Sequence, residues 1–249
     1  MFALFTKPMI FAHRGACALA PENTLPSFEL AVTHNADAIE LDAKLSRDGT
    51  VMVIHDQTVD RTTNGTGKVN ELTLKELKSL DAGSFLRSEF SGTTIPTLDE
   101  VFESVGHRLV VNVELTNYKS SDDNLVQKVA EIVKRHEMEN RVLFSSFLPK
   151  NLAKSKILLP NTPVALLCLP GLMGMVSRSR FSHHVSPQII HPYLSDVFDR
   201  YVVNEHRAGR RVHVWTVNSD DDILRMRKAG VDGIFTDNPL HARRILENK

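Results

Sequence analysis

Glu40-Leu41-Asp42 places two carboxylates two residues apart. Side chains of an extended strand alternate between faces, so Ala38, Glu40 and Asp42 share one side and Ile39 and Leu41 the other. Two acids near the end of a buried strand repel each other unless a proton or a cation comes between them. An isolated Glu-x-Asp is read first as a pair of solvated loop carboxylates. Glu114 changes that reading, because Val110-Val-Asn-Val-Glu114 carries Val110, Asn112 and Glu114 on one face of a strongly apolar strand. Three oxygen donors gathered at one place suit one hard divalent cation, Mg²⁺ or Ca²⁺ with Mn²⁺ next, and not a zinc site of His and Cys.

Two histidines follow short extended runs. His13 ends the run 9–12 and His55 the run 51–54, while Arg14 adjoins the first. A lone histidine is usually structural, but an imidazole titrating near neutrality can give or take a proton. An arginine beside it can hold a phosphate oxygen by a charge-assisted hydrogen bond.

The elements that must position these groups alternate. Short apolar or β-branched runs recur at 9–12, 38–41, 109–115, 141–144, 163–167, 188–190, 212–217 and 233–235. Helical spacing fills 25–33, 124–136, 196–206, 220–229 and 240–247. The helix over 220–229 is punctuated at both ends, with Ser219 as cap, acids at 220–222, Arg225, Arg227 and Lys228 toward its end, and Gly230 as stop. Alternating strands and helices predict parallel βαβ units. Eight strands predict a TIM-type (β/α)8 barrel of the α/β class, with a doubly wound open sheet as the alternative. In such a barrel the late ends of all strands meet at one mouth, which would collect His13, Glu40, Asp42 and Glu114. The rhythm breaks between Asp56 and Arg108, where turn signals such as Asn64-Gly65 replace a strand. Residues 57–108 are therefore read as an insertion after the second strand, on the active-site side of one domain spanning 1–249.

Composition narrows the function. The chain has 30 Lys and Arg against 30 Asp and Glu, for a net charge of zero, which argues against a nucleic-acid partner. Two cysteines, Cys17 and Cys168, make neither a disulfide framework nor a zinc ribbon and read as idle thiols. Residues 1–12 are apolar but interrupted at Lys7 and Pro8, a poor signal peptide. No run reaches the roughly 18 apolar residues of a membrane span. A soluble cytoplasmic protein without stable membrane insertion is the expectation.

The order of these motifs resembles the glycerophosphodiester phosphodiesterase family. The likeness runs through His13-Arg14-Gly15, Pro21-Glu22-Asn23-Thr24, Phe28 and Ala31, then Ala36-Asp-Ala-Ile-Glu40-Leu-Asp42 and Asp48-Gly49. It continues in Val53-Ile-His55-Asp56, Arg61-Thr-Thr-Asn-Gly65 and Ile95-Pro-Thr-Leu98. Trp215-Thr-Val-Asn218 and 230–237 complete it, so it covers nearly the whole chain. The resemblance implies a TIM-type barrel and hydrolysis of a small glycerophosphodiester to glycerol 3-phosphate and an alcohol, a step of lipid metabolism. It implies a metal on Glu40, Asp42 and Glu114, His13 and His55 as acid and base, and Arg14 on the phosphate. The attacking oxygen is either the substrate's own glycerol 2-hydroxyl, through a cyclic phosphate, or water.

One departure stands out. Many members carry Glu-x-Lys at the third acid, where this chain reads Glu114-Leu115-Thr116. Thr116 is expected to offer the phosphate a neutral hydrogen bond, and Lys119 is the candidate to restore the charge. Phe147 and Trp215 are candidates to line the alcohol pocket. Glu22 and Asn23 read as shaping the first loop, Cys17 as a spectator near the mouth, and His183 and His184 as surface residues. The apolar stretch 166–176 reads as a buried loop or short helix, with an apolar lid as the alternative. That lid keeps open a lysophospholipase D-like activity on lysophospholipids; a catalytically silent phosphodiester-binding barrel is the reading from a different class.

Overall fold

The computed structural model describes residues 8–120 and 122–247, with the side chain of Phe181 excepted. Met1–Lys7, on which most of the signal-peptide reading rests, lie outside the described residues. Eight parallel strands close on themselves: β1 (Met9–Ala12), β2 (Ala38–Leu45), β4 (Val110–Leu115), β5 (Val142–Ser146), β6 (Val164–Leu167), β7 (Ile189–His191), β8 (Arg211–Val214) and β9 (Gly233–Thr236). β1 pairs with β9 on one side and with β2 on the other, which shuts the barrel. A closed barrel, not an open sheet, is thus the architecture.

A further strand, β3 (Val51–Val53), is not a barrel stave. It runs antiparallel along the upper half of β2 after a turn at Asp48-Gly49, where Gly49 takes a φ of 79°. That left-handed conformation is one glycine adopts at little cost. The pairing stops where the amide of Ile54 donates to the carbonyl of Asp42.

Helices α1 (Leu25–Thr33), α2 (Leu74–Lys78), α3 (Leu98–Val101), α4 (Leu125–Arg135), α5 (Pro149–Leu158), α6 (Asp199–Arg207), α7 (Asp220–Ala229) and α8 (Pro239–Glu247) fill the connections. In α7 the Ser219 hydroxyl accepts from the Asp222 amide, and Gly230 ends the helix at a φ of 77°. α4 buries Leu125, Val126, Val129, Ala130, Ile132 and Val133 against the barrel. The segment between β3 and α3 carries α2 and closes a small core of its own around Met52, Val59, Leu77 and Ile95. Its continuation differs: Leu98, Val101, Phe102 and Val105 enter the main core with the outward residues of β2 and β4. Residues 98–106 thus take the place of a barrel crossover helix, and the extra structure ends near Pro96.

The barrel interior is layered. Met9, Phe11, Ala38, Val110, Leu143, Ala165, Ile189 and Phe235 form an apolar floor. One strand position higher, Glu40 pairs in register with Asn112, whose amide donates to the Ser145 hydroxyl at 2.9 Å. One position higher again, Asp42 stands opposite Glu114. Apolar residues below and polar ones above place the carboxylates of β2 and β4 at the mouth formed by the strands' C-terminal ends.

Candidate active site

Parallel register sets the acidic trio. Oxygens of Glu40, Asp42 and Glu114 lie within 4.8 Å of one another, with the first two nearly inaccessible. Burial and the charges of Asp42 and Glu114 raise the Glu40 carboxyl well above its ordinary range. Burial and Asp42 push Glu114 up to about 8, although the Tyr118 hydroxyl donates to it at 2.6 Å. Burial pushes Asp42 the same way, but Arg14, His55, Asn23 and Lys44 outweigh it and hold that carboxyl low. Three hard oxygen donors that repel one another while empty fit a divalent cation.

Arg14 reaches the trio because the chain doubles back after β1. Arg14 and Gly15 take φ values of 54° and 83°, and the Arg14 amide donates to Glu40 at 2.9 Å. Its guanidinium lies 3.4 Å from Asp42 and donates to Glu22 at 2.9 Å. Asn23, also left-handed, donates its side-chain amide to Asp42 at 2.8 Å. Glu22 in turn accepts from Arg61 at 2.7 and 2.8 Å. Burial favours the neutral form of Glu22, but its bonds to Arg61 and Arg14 prevail and keep its carboxyl ionised below the usual range.

Each histidine is held by a carboxylate at Nδ1. β1 and β9 pair Ala12 with Thr236, which sets His13 beside Asp237 at 2.7 Å. β3 delivers His55 next to Asp56 at 2.6 Å, and Arg61 grips Asp56 from the other side at 2.7 Å. Such a grip orients the ring and leaves Nε2 for the chemistry.

A cavity of about 80 Å³ lies between these groups, lined by His13, Arg14, Glu40, His55, Asn112, Glu114, Phe147, Leu167, His191, Trp215 and Phe235. Phe147 and Trp215 meet edge-on at 5.8 Å, flanked by Tyr118 and Tyr193, and so wall one side with aromatic rings. A wider cleft near Gln188 and Arg211, about 560 Å³, opens at the other end of the strands and gathers no comparable chemistry.

Thr116 and Lys119 stand apart from this cavity. Chain direction changes after β4, so the Thr116 hydroxyl donates to the Ala43 carbonyl at 2.8 Å. It also accepts from Lys44 at 2.7 Å, while Lys119 is exposed. Lys44 is the cation that the sequence reading passed over. It lies two residues beyond Asp42, on the face shared by Ala38, Glu40 and Asp42, and is buried. The register that pairs Asp42 with Glu114 carries Lys44 to Thr116. The neighbouring strand thus brings a positive charge beside Asp42 and Glu114, although Lys44 does not itself line the cavity. Asp56, Arg61 and Asp237 were visible as motif letters, but their roles as anchors needed the folded geometry.

A closed parallel barrel whose mouth joins a carboxylate trio, two carboxylate-held histidines and an arginine defines a barrel enzyme of phosphoryl chemistry. The pattern of the glycerophosphoryl diester phosphodiesterase family matches residues 13–241, and the chain belongs to that family of phosphodiester hydrolases. A glycerophosphodiester phosphodiesterase of Caldanaerobacter subterraneus subsp. tengcongensis is 39% identical over 234 residues, 94% of this chain and 95% of that protein. One from Bacillus altitudinis is 38% identical over 243 residues, 96% of this chain and 98% of that protein. The structure of an Oleispira antarctica phosphodiesterase, in complex with the product sn-glycerol-3-phosphate, superposes with a TM-score of 0.88 at 31% identity, over 97% of each chain. Among the described residues no helix is long and apolar enough to cross a membrane.

Proposed function

We propose that this chain hydrolyses small glycerophosphodiesters to glycerol 3-phosphate and an alcohol, as one barrel unit whose inserted segment, from residue 57 to near Pro96, lies on its active-site side. The observation that carries the reading is the convergence on one cavity of Glu40, Glu114, His13, His55 and Arg14, with Asp42 beside them. Glu40, Asp42 and Glu114 would hold Mg²⁺, Ca²⁺ or Mn²⁺, which supplies Lewis-acid charge for the phosphoryl oxygens. Arg14 positions the diester through a charge-assisted hydrogen bond. One histidine takes the proton of the attacking oxygen at Nε2 and the other returns a proton to the departing alcohol. Asp237 and Asp56 keep each ring in place while its charge changes. The aromatic wall of Phe147 and Trp215 faces the alcohol. Neutral net charge accords with a small-molecule partner rather than a nucleic acid, and a cytoplasmic setting belongs to the same proposal.

The test is a panel of glycerophosphodiesters, assayed on metal-stripped protein with Mg²⁺, Ca²⁺ or Mn²⁺ restored. Chelator-sensitive release of glycerol 3-phosphate is expected. No hydrolysis of any member with any ion would overturn the proposal.

One observation favours a second substrate class. The stretch after β6 forms a short helical turn at Gly171–Gly174 as expected, but it is exposed rather than buried: Leu172, Met173, Met175 and Val176 are 85%, 78%, 60% and 69% exposed. Arg178 fastens this turn by donating to the carbonyls of Leu169 and Gly171, and the Gly171 amide donates to Asp196. An apolar edge beside the mouth suits the acyl chain of a lysophospholipid. Rates that jump when such a substrate forms micelles would support that class, and smooth saturation through that concentration would remove it.

A further inference from the structure

We propose that His13, Cys17 and Asp237 form a second metal site, which takes Zn²⁺ and silences the enzyme when filled. A ring nitrogen of His13, the sulfur of Cys17 and a carboxylate oxygen of Asp237 lie within 4.8 Å of one another. His13 Nδ1 is 2.7 Å and Cys17 Sγ 3.2 Å from the same Asp237 oxygen. Tetrahedral zinc with bonds of about 2.0–2.3 Å spaces its ligand atoms about 3.3–3.7 Å apart. The two distances to Asp237 therefore need to open by about an ångström or less.

The backbone builds this grouping rather than leaving it to side-chain rotation. Left-handed φ values at Arg14 and Gly15 turn the chain back after His13, and the Ala18 amide donates to the Asp237 carbonyl at 3.0 Å. Cys17 is thereby held over the end of β9. Asn218 donates to the other Asp237 oxygen at 2.6 Å, which steadies the carboxylate as a ligand's outer partner does. All three residues are partly exposed, so an ion can enter.

Donor chemistry separates this site from the acidic trio a few residues away. Three oxygens prefer a hard cation, whereas nitrogen, sulfur and oxygen together prefer a borderline one. Three protein ligands also leave a fourth position open to solvent. On binding, the Cys17 thiol proton passes to solvent, the His13 proton sits on Nε2 instead of between Nδ1 and Asp237, and Nδ1 becomes a ligand. The imidazole is then tied to the ion instead of to Asp237, and its proton cycle stops. This last consequence rests on the acid–base role of His13 proposed above; the binding does not.

Two arms test the proposal. In the first, Zn²⁺ is titrated into Mg²⁺-supplied wild type and Cys17→Ser during glycerol 3-phosphate release, each scaled to its own zinc-free rate. The inhibitory zinc concentration is expected to rise at least tenfold in Cys17→Ser. Equal inhibition of both proteins would place the ion on the carboxylates and overturn the proposal. In the second arm, Co²⁺ stands in for Zn²⁺ without any turnover. A near-ultraviolet thiolate-to-cobalt band and protection of Cys17 from iodoacetamide are expected in wild type, and no band in Cys17→Ser. Absence of both signals in wild type overturns the site. If no glycerophosphodiester is ever hydrolysed, the cobalt signals still stand and only the proposed reaction falls.

Discussion

Glu114→Gln is expected to make the metal-free protein more stable while abolishing its response to cations. Burial first, and the Asp42 charge second, push the Glu114 carboxyl up to about 8. In the unfolded chain the same carboxyl titrates near ~4.3. Between those values the folded protein keeps a proton that the unfolded chain has released. Folding then binds protons, so stability falls as pH rises from about 4.5 to about 8. The full effect is ~1.4 kcal/mol per pH unit. Partial exposure of Glu114 to the cavity trims this to a total on the order of 2–4 kcal/mol by pH 8.

Gln keeps an oxygen to accept the Tyr118 hydroxyl and carries no charge to repel Asp42. A chain of this size shifts its midpoint by about 2–4 °C per kcal/mol. In chelator at pH 8 the variant is therefore expected to melt about 5–15 °C above wild type, and at pH 5 the gap should nearly close. A cation at about a hundred times its dissociation constant adds ~2.7 kcal/mol to a protein that binds it. Wild type should gain that and the variant should not. Circular dichroism melts at both pH values, with chelator or with Mg²⁺, read every term. Coincident melts at pH 8 in chelator, or an equal Mg²⁺ gain in both proteins, would show that Glu114 neither stores this strain nor holds the ion.

Three further outcomes follow from named contacts. His13→Ala and His55→Ala should each cut turnover by at least ~10²–10⁴-fold with an unchanged circular dichroism spectrum; near-normal turnover in either removes that ring from the assignment. Lys44→Met should weaken inhibition by glycerol 3-phosphate by about 10-fold, as loss of one nearby positive charge does. An unchanged constant there, with a loss in Lys119→Ala, would give the phosphate charge to Lys119. Gly15→Ala should lower the melting midpoint sharply or prevent folding, because its Cβ would meet the Ser27 hydroxyl and lie 2.7 Å from the Ser27 carbonyl carbon at a φ of +83°; an unshifted midpoint would deny that close approach.

The barrel strands were legible because β-branched runs mark them, and the trio because alternation alone fixes which side chains share a face. What escaped the sequence depends on partners far away in the chain. His13 meets Asp237 only once β1 and β9 close the barrel across 224 positions. His55 follows a visible extended run, but nothing local says that β3 folds back antiparallel to Asp42. α5 was not legible because its buried face is built from Asn151 and Ser155 beside Leu152, which erases the apolar stripe. Alternation places Thr116 with Glu114, yet the strand ends at Leu115 and the hydroxyl turns to Ala43. Lys44 obeyed the same alternation as the acids. Its meaning came only from the neighbouring strand, where Thr116 leaves room for its ammonium.

Six carboxylates crowd this mouth, Glu22, Glu40, Asp42, Asp56, Glu114 and Asp237, against the cations Arg14, Lys44 and Arg61. Burial opposes the charge of Glu22, Asp42 and Asp237, but bonded cations and donors hold these carboxyls below their usual range. Arg61 does the same for Asp56. Glu40 and Glu114 alone are raised. Without metal, Glu40 and Glu114 therefore favour the neutral form while the other four carboxyls favour the charged one. A divalent cation on the trio would favour the ionised form of both and so displace the protons they hold. Metal binding in such a site is a proton exchange, so the surrounding ion pairs of Arg14, Glu22 and Arg61 need not rearrange when it happens. Affinity must then climb with pH, while Arg14 stays in place to meet the single charge of an incoming diester.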